Sequence, residues 1–172
     1  MKYLVAEPDE ALDPGVRADL LDTWVAATNA GGAVGYTAPA PVDAIAENLD
    51  GALGRVAAGL DLLGVLHNGE RYVGMGMLVT RAGALQQHWR TVLRVMVHPE
   101  HQGNGAGRIL MEGLRGSAVD LGLEQLQLTI RDGLGLDKFY GPLGYRIVGR
   151  HPRAVRVAPG DYRDEVMLVQ DL

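Results

Sequence analysis

The segment Val95-Met96-Val97-His98-Pro99-Glu100-His101-Gln102-Gly103-Asn104-Gly105-Ala106-Gly107-Arg108 carries an apolar strand through a glycine-rich turn into a helix. The first amides of a helix lack carbonyl partners and bear roughly half a positive charge, so such a turn can aim several N–H groups at one anion. Gly103, Gly105 and Gly107 keep the junction free of side-chain bulk, which lets an oxyanion approach the peptide planes. The chemistry expected here is phosphate binding. The alternative is a tight loop without a ligand, but three glycines at one junction carry an entropic cost that close backbone approach offsets.

The kind of phosphate is constrained by what surrounds the turn. A mononucleotide P-loop closes on Gly-Lys-Ser or Gly-Lys-Thr, whereas Gly107 is followed by Arg108-Ile109. A dinucleotide site wants an acidic residue at the tip of the next strand, roughly 20 residues on. The next apolar run ends in Thr129-Ile130-Arg131-Asp132, so a nicotinamide-linked oxidoreductase stays open as a distant reading.

The elements that must hold this turn follow from periodicity and turn residues. Val92 to Val97 is apolar and rich in β-branched residues, and Pro99 ends it because proline lacks a ladder donor. After Gly107, Leu110, Leu114 and Ala118 recur every fourth residue with Met111 beside them, the stripe of a helix laid on a sheet. Tyr3 to Ala6 predicts a first strand. Val16 to Asn29 predicts a helix opened by Asp13-Pro14, with Leu20, Leu21, Trp24 and Val25 as its apolar face. A loop rich in Gly, Ala and Pro follows from Asn29 to Pro41, then a second helix over Val42 to Leu60. Leu62 to Leu66 and Tyr72 to Thr80 predict strands joined at Asn68-Gly69, with Gly74 and Gly76 allowing close backbone approach. Beyond the phosphate helix come a strand over Leu123 to Ile130 and a short helix over Leu136 to Tyr140. A final strand pair, Tyr145 to Val148 and Glu165 to Val169, is separated by Ala158-Pro159-Gly160-Asp161. Pro142 disfavours helical backbone at Gly141, so the short helix should end near Tyr140. This order predicts a three-layer mixed α/β domain whose central sheet is mostly antiparallel and flanked by helices.

Composition narrows the function classes. At 172 residues and 47% hydrophobic, the chain is expected to form a single domain over 1–172. Sixteen Lys and Arg against 21 Asp and Glu give a net charge of −5, with no basic run or aromatic-interleaved patch, so no nucleic-acid partner is expected. There is no cysteine, which excludes disulfides, thiolate metal sites and cysteine nucleophiles, and no metal is expected. No apolar run nears the ~18 residues of a spanning helix, so neither a membrane partner nor any place but the cytoplasm is expected.

The glycine-rich segment resembles motif A of the GNAT superfamily of acetyltransferases, in which a strand is followed by Gln or Arg, two residues, Gly, one residue, and Gly or Ala. Gln102, Gly105 and Gly107 stand on those positions. Phe139-Tyr140-Gly141-Pro142-Leu143-Gly144-Tyr145 is similar to motif B, an aromatic-Tyr pair with a short turn and Gly-aromatic. Gly31-Gly32-Ala33-Val34-Gly35-Tyr36 and Val148-Gly149-Arg150-His151-Pro152 resemble the tabtoxin-resistance acetyltransferase branch. The resemblance implies the GNAT acyl-CoA N-acyltransferase fold and acetyl-CoA as co-substrate. The acceptor it implies is an amine or hydroxyl of a small molecule such as a toxin or antibiotic, acetylated by direct attack on the thioester by a monomer or homodimer.

The same resemblance places the chemistry. Backbone amides of Val95, Met96 and Val97 would receive the pantetheine arm and acetyl carbonyl, with Val97 as oxyanion donor. Amides of Gly103, Gly105, Ala106, Gly107 and Arg108 would cradle the pyrophosphate, with side chains of Gln102 and Asn104 adding contacts and Arg108 adding charge or serving as a surface residue. Tyr140 would serve the departing thiolate; a phenol near pKa ~10 is protonated at neutral pH and can donate to a thiolate whose conjugate acid is near ~8.5. The other role for Tyr140 is core packing beside Phe139. Acidic residues of the tabtoxin-resistance branch are matched here by Thr91 and Thr129, neither of which takes a proton at neutral pH. His88 and Asp137 are the substitute bases to examine, His98 is expected to shape the turn, and a low-pKa amine or a water relay would need no base. Tyr36 and Trp89 are candidates to line the acceptor pocket or to close the core edge. A catalytically inactive acyl-CoA-binding sensor or partner module would keep the phosphate turn, but has no need of a thiolate acid.

Overall fold

The computed structural model describes residues 1–172. Seven strands, β1 (Lys2–Val5), β2 (Leu62–His67), β3 (Tyr72–Val79), β4 (Trp89–Val97), β5 (Gln125–Arg131), β6 (Arg146–Ala158) and β7 (Asp161–Asp171), lie in the order β1-β2-β3-β4-β5-β7-β6. Every neighbouring pair is antiparallel except β4 and β5, which are parallel. Helices α1 (Pro14–Asn29) and α2 (Val42–Ala57) cover one face, and α3 (Ala106–Asp120) covers the other, with the single-turn α4 (Asp137–Tyr140) beside it. The mixed, mostly antiparallel three-layer architecture is the one the sequence predicts.

Helix α1 starts where Asp13 accepts bonds from the amides of Gly15 and Val16, at 2.7 and 3.2 Å, with Pro14 preorganising the first turn. Leu20 and Trp24 are buried against Ile45 and Leu49 of α2 and the methionines Met75, Met77 and Met96 of the sheet. Leu110 and Leu114 of α3 are fully buried on the opposite face, each burial worth roughly 1.5–3 kcal/mol. α3 sits unusually close to the sheet. A Cβ on Gly76 would lie 2.6 Å from Leu114, and one on Gly113 2.3 Å from the ring of Tyr3, whose hydroxyl reaches Ser117 at 2.8 Å.

Several boundaries differ from the sequence reading for local reasons. α2 ends at Ala57, not Leu60, because Gly59 takes φ +69° and the amides of Gly59 and Leu60 close back on Val56 and Arg55. The same closure ends α3, where Gly122 and Leu123 bond back to Val119 and Ala118, so Leu123 seals a helix end and β5 begins only at Gln125. β4 begins at Trp89, three residues before the apolar run, because Trp89–Thr91 pair with Gln125–Gln127. The final pair is a long hairpin around Gly160, extended through largely exposed polar residues that carry no alternating apolar signal. α4 stops at Tyr140 and passes into a 3₁₀ turn over Gly141–Leu143, but Gly141 itself keeps helical backbone, φ −53° and ψ −54°, because glycine has no Cβ to clash with the following proline, and the chain turns away only at Gly144, φ +92°.

Candidate active site

The site arises where two parallel strands part. β4 and β5 pair only at Trp89↔Gln125, Arg90↔Leu126 and Thr91↔Gln127; beyond Thr91, β4 pairs with β3 alone and β5 with β7 alone. The fork opens a cleft of about 1380 Å³ between Val92–Val97 and Leu128–Arg131, with the glycine-rich turn at one end and the loop around Tyr36 on one side.

A β-bulge shapes the β4 side. The register runs Leu93↔Met77 and then Met96↔Met75, so one extra residue sits opposite Gly76, and Arg94 takes φ +54°. Val92, Val95 and Val97 pack toward α3, whereas Arg94 and Met96 face α1 and α2. The amide of His98 donates to the Val73 carbonyl at 2.8 Å. By antiparallel alternation the amide of Val97 then points away from β3, into the fork, and the bulge at Arg94 and Val95 interrupts the ladder beside it.

At the turn, Gly103 and Gly105 hold φ +81° and +79°, left-handed backbone that costs other residues about 1–2 kcal/mol. The first bond inside α3 is Ile109 N–H to the Gly105 carbonyl, so the amides of Ala106, Gly107 and Arg108 have no intrahelical partner. Gly107 serves packing as well as access, since a Cβ there would lie 3.2 Å from Phe139. Gln102 Nε2 donates to the Val97 carbonyl at 2.8 Å, tying the turn to the end of β4. Asn104 does not line the cleft, while Val95, Met96, Val97, Gln102, Gly103, Gly105, Ala106, Gly107, Arg108 and Tyr140 do. Arg108 is exposed at its mouth and pairs with Glu112 at 3.4 Å. His98 shapes the turn, its Nδ1 accepting from the Glu100 amide at 3.3 Å.

Tyr140 is 7% exposed and stacked edge-on between Phe139 and Tyr145, with centroids 4.9 and 5.6 Å away. Burial alone pushes its pKa up to about 12, so the phenol is protonated at every physiological pH. Of the other expected residues, Tyr36 lines the cleft and Trp89 does not; Trp89 lies at the paired base of the fork under Arg81, 5.2 Å from its ring. His88, Asp137 and Thr91 also stand outside the cleft, and Thr91 instead bonds Gln127 at 3.2 Å.

Four charged residues of the cleft, Arg94, Arg131, Arg156 and Glu165, were not singled out in the sequence. Glu165, on β7, faces the cleft beside Thr129, whose hydroxyl donates to its Oε1 at 3.1 Å. Nothing local in the sequence marks it, because β5–β7 pairing brings it to the fork from 36 residues away. Arg94 was legible in principle, as a lone cation inside Val92-Leu93-Arg94-Val95-Met96-Val97. No three His, Cys, Asp or Glu side chains are gathered at metal-binding spacing, and no helix is long and apolar enough to cross a membrane.

A model of the acetyltransferase (GNAT) family matches residues 35–145, which span the Tyr36 loop, the fork, the glycine-rich turn and Tyr140. Among solved structures, a GNAT-family acetyltransferase from Streptococcus pneumoniae superposes with TM-score 0.76 at 16% identity, over 99% of this chain and 100% of that one. A ribosomal-protein-alanine N-acetyltransferase from Brucella melitensis gives 0.74 at 16% identity over 100% of both chains. The Salmonella typhimurium protein yncA, solved with its cofactor acetyl-CoA, gives 0.73 at 17% identity over 99% of this chain and 93% of that one. These identities carry the fold and no more. A search of curated proteins finds no significant match.

Proposed function

Because this chain belongs to the acetyltransferase (GNAT) family, we propose that residues 1–172 act as one domain that transfers an acetyl group from acetyl-CoA to an amine or hydroxyl of a small molecule. The acceptor attacks the thioester directly. The observation that carries the reading is the fork itself: unpaired β4 amides run straight into a turn whose three leading helix amides are also unpartnered. That set suits a ligand with an extended amide-bearing arm ending in a pyrophosphate.

Acetyl-CoA supplies the activated acetyl thioester; the chain supplies position, dipoles and protons. The amides of Ala106, Gly107 and Arg108, with the open turn at Gly103 and Gly105, hold the pyrophosphate, while Asn104 stays at the surface. Val97 N–H donates to the oxygen on which negative charge develops. Gln102 steadies that donor by holding the Val97 carbonyl. Tyr140 donates to the departing thiolate. With its pKa at about 12, complete transfer to a thiolate whose conjugate acid is near ~8.5 runs uphill, so the phenol acts by hydrogen-bond donation. Glu165, held by Thr129, is the group placed to accept the proton that the acceptor releases as its new bond to the acetyl carbon forms.

A small acceptor is supported by the cover over the cleft, where residues 32–39 and Pro41 join Trp24 and Asn48 as lining. Titration of the protein with acetyl-CoA by calorimetry, followed by thiol release with a panel of amines and hydroxyl compounds, tests the reading. Binding with acceptor-dependent release is the expected result. Tight binding with no release across the panel would instead support an acyl-CoA sensor, and no binding would overturn the cradle.

A further inference from the structure

Arg94 is a charge without a counter-charge. Its guanidinium sits over the Trp24 ring at 5.5 Å, and its Nη1 meets only the thioether of Met77 at 3.7 Å. Its Nη2 donates to the amide oxygen of Asn48 at 2.6 Å, and its buried Nε has no acceptor. Elsewhere in the chain the same edge of arginine grips a carboxylate with both nitrogens: Arg17 on Asp50 at 2.5 and 2.9 Å, Arg55 on Asp61 at 2.6 and 2.9 Å. At Arg94 a neutral amide oxygen stands where those carboxylates stand. Ion pairs raise the pKa of Arg17, Arg55, Arg71 and Arg150, whereas burial lowers that of Arg94.

The fold also commits backbone to this residue. Arg94 is one of two non-glycine residues with positive φ, and the bulge that holds it there turns its side chain to the α1 and α2 face of the fork. Arg94, Asn48 and Tyr36 line both the main cleft and a side cavity of about 650 Å³ between α2 and β4. They form a chain, the Asn48 amide donating to the Tyr36 hydroxyl at 3.3 Å while its oxygen accepts from Arg94. A partly buried cation with a vacant edge is destabilising unless something pairs with it. The protein itself offers no acid within ion-pairing distance of Arg94; the nearest one that acts on it, Asp61, is bound to Arg55.

From this geometry we infer that the acceptor carries a carboxylate, which displaces the Asn48 amide oxygen and takes the Nε and Nη2 edge of Arg94. The substrate class is an amine or hydroxyl compound that also bears a carboxylate, such as a free amino acid or a derivative with its acid group open. Arg131, which lines the cleft on β5 and has no acidic partner, adds positive potential on the other wall. The inference rests on the acetyl-transfer reading above and narrows its acceptor.

The test compares matched acceptors, each offered as the free acid and as its carboxamide, with acetyl-CoA binding measured on every sample. The wild-type protein should prefer the free acids. Arg94→Gln should raise the acceptor KM for a free acid by about 30-fold or more, as loss of charge-assisted hydrogen bonds does, and should abolish the preference for acid over carboxamide. Asn48→Asp gives Arg94 an internal carboxylate; it should raise the melting temperature and the KM for free acids together, and it keeps the test decisive if Arg94→Gln folds poorly. Equal or better turnover of the carboxamides, or no turnover of any free acid by protein that binds acetyl-CoA, overturns the inference. Failure to bind acetyl-CoA overturns the acetyl-transfer reading instead.

Discussion

Gln102 Nε2 donates to the carbonyl of Val97 at 2.8 Å, and this one bond joins the two halves of the candidate site. Val97 belongs to the edge of the fork whose amide faces the proposed oxyanion, and Gln102 opens the turn that presents the helix amides. A polar side chain at the phosphate turn thus does its work on the backbone of the strand. Gln102→Ala should cost about 1 kcal/mol of stability, the usual net value of such a bond, and lower the melting temperature by roughly 2–4 °C. Acetyl-CoA affinity measured by calorimetry should fall with it, because the strand and turn lose their common tether.

Tyr140→Phe should leave the fold intact, since the ring stays stacked between Phe139 and Tyr145. It should lower kcat by about 10²-fold, at the lower end of what positioned acids contribute. The folded pKa of about 12 lies above the ordinary value of 10. Its contribution to stability is therefore fully present below pH 10 and is lost as pH rises through about 12, because the unfolded chain gives up the proton first. Denaturant midpoints followed from pH 9 to 12 should decline, and the decline should be shallower in Tyr140→Phe; an identical decline would remove the buried phenol as its source.

Glu165→Gln should reduce kcat by about 10²- to 10³-fold with little change in acetyl-CoA affinity. Thr129→Val removes only the hydroxyl that holds the carboxylate and should cost less, roughly 5- to 10-fold on the ~1 kcal/mol scale of one hydrogen bond. Steady-state kinetics with a saturating acceptor distinguish the two, and an unaffected Glu165→Gln would return the reaction to a water relay or a low-pKa amine.

Gly105→Ala places a side chain at φ +79° with nothing within 4 Å of the new Cβ. The cost is therefore backbone strain, about 1–2 kcal/mol. A melting temperature lower by a few degrees is expected, together with a larger proportional loss of acetyl-CoA affinity as the turn relaxes. At Gly113 the opposite balance holds: Gly113→Ala drives a Cβ to within 2.3 Å of the Tyr3 ring, so stability should fall by about 1–3 kcal/mol, read in denaturant melts, from a position on the far side of α3 from the fork.

What the amino-acid order determined by itself was local. β-branched runs, the fourfold spacing of Leu110, Leu114 and Ala118, the Asn68-Gly69 turn and the glycines before α3 specify their elements through short-range sterics and hydrogen bonding, and motif A and motif B each occupy one short stretch of consecutive residues. The glycine-rich turn of the candidate site was legible for that reason. Tertiary structure decided everything that depends on which strands meet and where they part. The fork needs β4 and β5 to pair for three residues and no further, the bulge needs one surplus residue opposite Gly76, and Glu165 reaches the cleft only through pairing of β7 with β5. Arg94 shows the division most directly: its charge is plain in the sequence, but its lack of a counter-charge is a property of its neighbours Trp24, Asn48 and Met77, which come from three other elements. Register and strand separation are global quantities, fixed when the whole sheet packs between its two helical layers, and no local window of residues contains them.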